Sequence, residues 1–183
     1  MGFPGVVTRL AGTRHGAPWT YAAADPARPA APGQLPLAQL RALVPRRPAQ
    51  SSRLYGVIGR PVAHSRSPEL MNAAFAALEE DAVYTWLETA DPFALLEEAW
   101  LDERIAGFSI TIPHKAAAAR APRVELDSLA SGIGAINTLS RSERGWVGTN
   151  TDALATRQLA LAACAARDLE LAQLPVALLG YGG

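Results

Sequence analysis

The sequence predicts an α/β fold in which helices flank a mostly parallel sheet, and two patterns support this prediction. From residue 53 onward, short apolar segments of strand character alternate with segments of helical periodicity. Two of the helical segments open with a capping residue followed by proline, Ser67–Pro68 and Asp91–Pro92, which is a helix-start pattern. Hydrophobic residues make up 49% of the 183 residues, so the chain can bury a sizeable core.

The predicted elements follow one another along this second part of the chain. Strands are predicted at RLYGVIG, VYTWLET and IAGFSITIP, and helices at SPELMNAAFAALEE, DPFALLEEAWLDE, HKAAAARA and ELDSLASGI. The segments AINTL and WVGT are predicted to pair around the turn SERG, and a long helix is predicted over residues 153–169. A last apolar strand, Val176–Leu179, runs into a glycine-rich turn.

Residues 1–44 do not fit this alternation. GVVTRLAG and WTYAAA predict two short strands, and APGQLPLAQLRALV predicts one helix that begins near Pro36. Two strands and a helix cannot bury a core of their own, so we expect this segment to belong to something larger or to dock on the rest of the chain. The stretch over residues 45–52, with two prolines, two serines and no periodicity, is interpreted as a linker.

Composition excludes several classes of function. Lys plus Arg equals Asp plus Glu at 17 each, so no basic excess indicates a nucleic-acid partner. The single cysteine, Cys164, excludes an internal disulfide framework and a thiol-rich metal site, and it fits a reducing setting. No apolar run reaches the ~18 residues of a membrane span. We expect a cytoplasmic protein with no metal and no membrane partner, and the sequence leaves its oligomeric state open.

Two serines lie where an anion would bind. Ser65 and Ser67 stand in GRPVAHSRSP, between a strand end and a helix start. Exposed N–H groups and the helix dipole favour a carboxylate or phosphate at such a place, and the two hydroxyls could donate to it. The alternative is that Ser67 only caps the helix, and the two roles are compatible.

Two further motifs place polar side chains at strand ends. SITIPHK ends an apolar strand with Thr111 and Lys115, and a lysine there points toward the crevice where α/β folds bind ligands. A solvated lysine is the commoner outcome. GAINT and GTNTDA add Asn137 and Asp152, and Asp152 is expected to cap the long helix.

A glycine cluster closes the sequence. In LLGYGG, the glycines follow a predicted strand and match in part a turn that binds the pyrophosphate of a dinucleotide. The candidate cofactor-binding residues are therefore Gly180, Gly182 and Gly183. A glycine cluster by itself is weak evidence, whereas the order of all the motifs is specific.

Taken in order, the motifs YGVIGRPVAHSRSP, GFSITIPHK, GAINT, GTNTDA and VALLGYGG resemble the shikimate dehydrogenase family. The resemblance implies a substrate-binding domain over residues 53–152 and a linking helix over 153–173. It also implies that residues 174–183 are the first strand and the glycine-rich turn of a truncated NADP-binding Rossmann domain. The implied reaction is the reversible, NADP-dependent reduction of 3-dehydroshikimate to shikimate.

The resemblance also implies residue roles in substrate binding. Ser65 and Ser67 match the serines that hold the substrate carboxylate in this family. Thr111 matches a further substrate contact, and Asn137 matches a residue that hydrogen-bonds a ring hydroxyl. These four residues are the candidate substrate-binding set, together with the catalytic pair described next.

Lys115 and Asp152 match the catalytic pair beside the reacting carbonyl or hydroxyl. The chemistry agrees, because hydride transfer to a ketone builds negative charge on oxygen and a cation with a transferable proton stabilises it. Two positions depart from the family pattern: Ser109 replaces the usual asparagine, and Ala153 replaces a common glycine. Neither departure removes a charged group, so they affect the expected substrate geometry and not the reaction class.

The first segment has a resemblance of its own. GVVTRLAG, GAPWTYAAA and APGQL resemble the last part of a type I 3-dehydroquinate dehydratase, a TIM-barrel family. Arg9 matches the arginine that binds the substrate carboxylate there, and Gln34 matches a substrate-contacting glutamine. Ala30 replaces the serine of that family's loop. Residues 1–44 are therefore interpreted as the C-terminal remnant of a barrel.

The two families catalyse successive steps of chorismate biosynthesis, which supports both resemblances. We expect the chain to be a piece of a bifunctional dehydratase–dehydrogenase, and we expect this piece to be inactive alone. Three alternatives stay open. The chain could be a non-catalytic module that binds shikimate or quinate, or it could derive from an NAD-dependent quinate/shikimate dehydrogenase. It could also be a nonfunctional gene remnant, against which the intact motifs argue.

Overall fold

The computed structural model describes residues 6–12, 16–31, 33–44 and 48–177. Its helices are α1 (Val6–Ala11), α2 (Leu37–Leu43), α3 (Ser67–Ala77), α4 (Pro92–Trp100), α5 (Lys115–Ala118), α6 (Ser128–Ile133) and α7 (Thr151–Ala165). Its strands are β1 (Arg53–Gly59), β2 (Ala82–Glu88), β3 (Ile105–Ile110), β4 (Val124–Leu126), β5 (Thr138–Arg141) and β6 (Trp146–Thr149). A short 3₁₀ turn, Leu171–Gln173, follows α7.

The six strands form one mixed sheet in the order β2-β1-β3-β5-β6-β4. β1 is parallel to both β2 and β3, and β4 is parallel to β6. β5 is antiparallel to β3 and β6, so β6 again points the same way as β3. The α/β prediction is confirmed, and the sheet is parallel except at β5. The carboxyl ends of β1, β3 and β6 and the amino end of β5 consequently meet at one edge.

Most elements of the second part form where the sequence predicts them, and for the predicted reasons. β1 is buried along nearly its whole length because it lies inside the sheet between two parallel neighbours. α4 begins at Pro92, and the Asp91 carboxylate accepts hydrogen bonds from the backbone N–H groups of Phe93 and Ala94 at 2.9 and 3.1 Å. The hairpin β5–β6 encloses the predicted turn.

Three predictions about this part need correction. Residues 125–126, predicted as the start of a helix, belong to β4, because residues 124–126 pair with residues 146–148 and this tertiary pairing overrides the local helical pattern. α7 ends at Ala165 and not near residue 169. The start of the predicted last strand, residues 176–177, has no regular structure, and its end lies outside the described residues with the glycine-rich turn.

The first segment differs more from its prediction. Val6–Ala11 is a helix and not a strand, and residues 19–24 contribute only one isolated bridge, between Ala23 and Pro36. The reason lies in packing: Val6 and Leu10, one helical turn apart, join the buried cluster that contains residues of β1 and β2. The helix α2 is confirmed. Within the described residues, the first segment therefore docks on the β2 side of the sheet.

Neither a membrane-spanning helix nor a metal cluster is found among the described residues. None of their helices is both long and apolar enough to cross a membrane. In the same part of the chain, no group of three His, Cys, Asp or Glu side chains is arranged to hold a metal ion. Cys164 is a buried free cysteine on α7. The domain and linker boundaries stay predictions.

Candidate active site

Lys115 and Asp152 form an ion pair, with the lysine Nζ 2.8 Å from the Oδ2 of the aspartate. Lys115 is the first residue of α5, which follows β3, and Asp152 lies in the first turn of α7, which follows β6. Because β3 and β6 point the same way, both helices start at the same sheet edge, and this brings together residues 37 positions apart. The carboxyl-end edge is where open α/β sheets bind ligands.

The pair is accessible and charged. The lysine side chain is 30% exposed and the aspartate side chain 61% exposed. The hydrogen bond from Lys115 is the main cause that lowers the pKa of Asp152, the lysine charge acts in the same direction, and partial burial opposes them. Asp152 is therefore ionised at neutral pH, and it holds an ammonium group that can donate to a ligand oxygen.

Asn150, and not Asp152, caps α7. The Oδ1 of Asn150 accepts from the backbone N–H of Ala153 at 3.0 Å, and its Nδ2 donates to the carbonyl of Ala135 at 3.0 Å. The expected capping role of Asp152 is wrong. Both residue types cap helices well, so the sequence alone favours neither position. Because Asn150 satisfies the helix end, the Asp152 carboxylate is left to contact Lys115.

Asn137 immediately precedes β5 and so lies at the same edge. Its Nδ2 donates to the Thr151 hydroxyl at 2.8 Å, and its Oδ1 accepts from the Thr151 backbone N–H at 2.9 Å. Its own backbone N–H donates to the carbonyl of Thr149 at 3.0 Å. The neighbouring Ile136 N–H donates to the carbonyl of Lys115 at 3.1 Å. The GAINT loop thereby joins the start of α7 to the start of α5.

Ser65 and Ser67 contact each other through their hydroxyls at 3.1 Å. Ser67 is the first residue of α3, and its backbone N–H donates to the Ser65 hydroxyl at 3.3 Å. The N-cap position is occupied by Arg66, whose side chain makes no capping hydrogen bond. The interpretation of Ser67 as the cap is therefore wrong. Two half-buried hydroxyls lie side by side at a helix N-terminus that follows β1.

Thr111 follows β3 and lies against the end of β1. Its backbone N–H donates to the carbonyl of Ile58 at 2.9 Å. A Cβ placed on Gly59 would come within 2.5 Å of the Thr111 methyl group, so a glycine at that position allows the two strands' ends to pack closely. The residue is half-buried, between the serine pair after β1 and the ion pair after β3 and β6.

Ser109 has a partner that the sequence does not indicate. The Tyr84 phenol of β2 reaches across β1 and donates to the Ser109 hydroxyl at 2.7 Å. Burial raises the pKa of Tyr84, and its hydrogen bond to Ser109 opposes this shift. The phenol consequently stays protonated and keeps donating. Ser109 therefore has a defined, neutral environment two residues before Thr111 on the same strand face.

The candidate residues of the first segment lie apart from one another. Arg9, on α1, lines a cavity of about 250 Å³ with Trp19 and Leu40 among others. Gln34 lines a different cleft, and its Oε1 accepts from the backbone N–H of Ala30 at 2.9 Å. The described residues thus do not bring Arg9 and Gln34 into one cavity. Gly180, Gly182 and Gly183 lie outside the described residues.

Sequence reasoning missed two buried side chains next to the serine pair, Asn72 and Trp86, and the buried Tyr84 that contacts Ser109. Asn72 and Trp86 both donate to backbone carbonyls of the segment over residues 65–68. The only signal for Asn72 was a polar residue within the apolar face of α3. His114, next to Lys115, is buried, and its Nε2 lies 2.9 Å from the carbonyl of Thr89, which is a structural role.

The fold and the geometry define an α/β domain with a lysine–aspartate pair and a turn that carries two adjacent serine hydroxyls at one sheet edge. Family models give this class a name. The shikimate dehydrogenase substrate binding domain matches residues 57–139, and type I 3-dehydroquinase matches residues 1–46. Residues 57–139 therefore belong to the shikimate dehydrogenase substrate binding domain family, and the chain joins them to a piece of a type I 3-dehydroquinase.

Relatives carry the same two names. The shikimate dehydrogenase (NADP(+)) of Anaeromyxobacter sp. strain K is 50% identical over 117 residues, which are 62% of this chain and 41% of that protein. The chloroplastic bifunctional 3-dehydroquinate dehydratase/shikimate dehydrogenase of Arabidopsis thaliana is 38% identical over 157 residues, which are 84% of this chain and 26% of that protein. The chain spans less than half the length of these relatives.

Solved structures agree with the fold. The Listeria monocytogenes shikimate 5-dehydrogenase, in complex with shikimate and NAD, matches with a TM-score of 0.56 at 26% identity, over 69% of this chain and 42% of that chain. The Thermus thermophilus shikimate 5-dehydrogenase, in complex with NADP(H) and shikimate, matches with a TM-score of 0.51 at 33% identity. That match covers 61% of this chain and 42% of the other.

Proposed function

We propose that this chain supplies the substrate-binding half of an NADP-dependent shikimate dehydrogenase, which reversibly reduces 3-dehydroshikimate to shikimate. The observation that carries the proposal is the 2.8 Å contact between Lys115 and Asp152 at the ligand-binding edge of the sheet. The family match of residues 57–139 names the substrate class. The names of the relatives supply the cofactor and the reaction.

In this proposal Lys115 and Asp152 handle the reacting oxygen. Reduction of the ketone places negative charge on its oxygen, and the Lys115 ammonium donates a hydrogen bond and then a proton to it. Asp152 orients the ammonium through the observed ion pair. When the cofactor is bound, NADPH supplies the hydride. Gly180, Gly182 and Gly183 stay the predicted cofactor residues.

The remaining candidate residues bind the rest of the substrate. The Ser65 and Ser67 hydroxyls would turn toward the carboxylate, whose charge the N-terminus of α3 favours. Asn137 and Thr111 would contact ring hydroxyls, since both lie at the same edge as the ion pair. Without a ligand, the serines and Asn137 are hydrogen-bonded within the protein, and Thr111 packs against the end of β1. Substrate binding would therefore replace some of these contacts with contacts to the substrate.

We also propose that the natural protein is bifunctional with a 3-dehydroquinate dehydratase. The Arabidopsis relative aligns across 84% of this chain, and the two matched families occur here in the order that its name gives. Arg9 and Gln34 would then be substrate residues of the dehydratase part. A reducing, cytoplasmic setting belongs to this proposal, because the only cysteine of the chain is buried and unpaired.

A binding experiment tests the site without requiring turnover. Shikimate is titrated into the purified chain by calorimetry, and the titration is repeated with Lys115→Met. Loss of a charged hydrogen bond, ~1.5–3 kcal/mol, predicts a Kd increase of roughly 10- to 150-fold. Arg120→Met, an exposed cation five positions away, is the matched control and should bind as the unmodified chain does. Absence of heat at millimolar shikimate contradicts the proposal.

The chain offers a second, independent readout. Lys115 is its only lysine; the other basic residues are arginines. Reductive methylation with ¹³C-formaldehyde therefore labels one side chain and the terminal amine, and it keeps the lysine charge. Shikimate should shift the Lys115 methyl resonance and leave the terminal resonance in place. Equal, small shifts of both would show that shikimate does not bind beside Lys115.

A further inference from the structure

The turn that carries Ser65 and Ser67 is hydrogen-bonded to side chains of the edge strand β2 and of the helix α3. The indole Nε1–H of Trp86, on β2, donates to the Ser65 carbonyl at 2.8 Å. The Nδ2 of Asn72, on α3, donates to the Pro68 carbonyl at 2.7 Å. These two hydrogen bonds come from two buried side chains, and they fix the backbone on both sides of the serine pair.

Trp86 is suited to set the position of Ser65. The residue is 3% exposed and belongs to a buried hydrophobic cluster, so packing fixes the direction of its N–H. A buried indole N–H needs an acceptor, and here the acceptor is the Ser65 carbonyl. Ser65 is also held through its backbone N–H, which donates to the carbonyl of Val62 at 3.0 Å. With both backbone groups fixed, the Ser65 hydroxyl has a defined place beside that of Ser67.

Asn72 ties the start of α3 to the same strand. β2 lies at the end of the sheet, so the outward backbone groups of Tyr84 lack a strand partner there. The Asn72 Oδ1 accepts from the Tyr84 N–H at 2.8 Å, and its Nδ2 donates to the Tyr84 carbonyl at 2.8 Å. The other Nδ2 hydrogen serves Pro68. The Asn72 amide thus makes the two hydrogen bonds to Tyr84 that a neighbouring strand would make, and it thereby joins the first turn of α3 to β2.

We propose that Trp86 is a positioning residue for anion binding: its indole N–H holds the Ser65 backbone so that the paired serine hydroxyls bind one carboxylate in a fixed geometry. Asn72 supports the same turn from the helix side. This inference rests on the proposed function, in which the serines bind the substrate carboxylate. In this inference the buried Trp86 affects substrate affinity only through Ser65, without contacting the substrate itself.

The test compares a carboxylate with its neutral ester. Calorimetry gives the Kd of shikimate and of methyl shikimate for the unmodified chain, Ser65→Ala, Trp86→Phe and Trp100→Phe. Trp86→Phe keeps an aromatic ring but loses the N–H, and loss of one hydrogen bond predicts shikimate binding about 10-fold weaker. Methyl shikimate binding should change less than about 2-fold. Trp100→Phe, the matched substitution on α4, should leave both ligands unaffected.

The outcomes separate the two proposals. If the unmodified chain does not bind shikimate, both the proposed function and this inference are refuted. A second outcome is that the unmodified chain binds shikimate and that Ser65→Ala weakens shikimate binding more than methyl shikimate binding. If Trp86→Phe then keeps the original preference for shikimate over the ester, the positioning role is overturned and the proposed function stands. An equal loss for both ligands in Trp86→Phe also overturns the inference, because it indicates a general structural effect.

If Trp86→Phe does not fold, an NMR measurement on the unmodified chain tests the positioning role of Trp86. With ¹⁵N-labelled tryptophan, the indole N–H resonance of Trp86 should exchange slowly with solvent and should shift when shikimate saturates the chain. The indole resonance of Trp100 should not shift. A Trp86 resonance that stays in place at saturation overturns the proposed coupling between the indole and the anion-binding turn.

Discussion

Replacing Asp152 by asparagine should separate the contribution of the ion pair to folding from its contribution to ligand binding. The pair is short, at 2.8 Å, yet the aspartate side chain is 61% exposed. Two unit charges at such a distance interact by ~1.5 kcal/mol in water and by ~6 kcal/mol near a protein surface, before desolvation and side-chain entropy oppose them. Measured exposed pairs contribute ~0.2–1 kcal/mol, so Asp152→Asn should lower the free energy of unfolding by no more than about 1 kcal/mol.

The pH dependence has a definite sign. The pKa of Asp152 is lowered in the folded chain, chiefly by the hydrogen bond from Lys115. Such a group stabilises the fold fully above its unfolded pKa, and this contribution is lost as the pH falls through the lower, folded pKa. The difference in unfolding free energy between the unmodified chain and Asp152→Asn should therefore be present at neutral pH and disappear in acid.

Urea denaturation at neutral and acid pH measures this difference, and Glu143→Gln, an exposed carboxylate in the β5–β6 turn, is the control. Shikimate binding to the same variants should weaken roughly 10-fold or more in Asp152→Asn alone, because the ammonium loses the group that orients it. A stability loss of several kcal/mol, or a loss that persists in acid, would refute the description of the pair as exposed and functional. Unchanged binding would refute its part in the site.

Three further substitutions test the scaffold of the site, each by urea denaturation. Asn150→Ala should cost ~0.5–2 kcal/mol because it removes the α7 cap. Arg141→Lys should lower the free energy of unfolding by ~1–3 kcal/mol. The Arg141 guanidinium donates to several carbonyls of the α4–β3 connection and stacks on two tryptophan rings, and an ammonium group cannot make these planar contacts. Gly59→Ala should cost ~1–3 kcal/mol by overpacking, and adding Thr111→Ser should recover part of the loss because it removes the methyl group in conflict.

The elements with strong local patterns could be predicted from the sequence, whereas those decided by distant contacts could not. The strand β1 and the helix α4 are specified by an apolar run and by a cap followed by proline, both of which are local. β4 is three residues long, and it exists because residues 124–126 pair with β6. α1 has three β-branched residues that favour a strand, but Val6 and Leu10 pack against the sheet as one face of a helix.

The same distinction applies to the site. The order of the motifs was enough to place Lys115 and Asp152 together, and the 2.8 Å contact supports that placement. Which of two neighbouring residues caps α7 was not predictable, because asparagine and aspartate cap equally well. The support of the serine pair by Trp86 and Asn72 was also out of reach. It depends on the register of β2 beside α3, and no short segment of sequence specifies that register.

The sequence uses lysine at one position, and the proposed function accounts for a lysine there. The chain contains 17 basic residues, and Lys115 is the only lysine among them. Arginine stays protonated in proteins and suits the fixed hydrogen bonds that Arg141 makes to backbone carbonyls. An ammonium group can release its proton and regain it, which the proposed reduction requires at the reacting oxygen. The sole lysine lies at the sheet edge where ligands bind, and a carboxylate orients it. Under the proposed function, proton transfer therefore accounts for a lysine at this position, since charge alone would be served equally well by arginine.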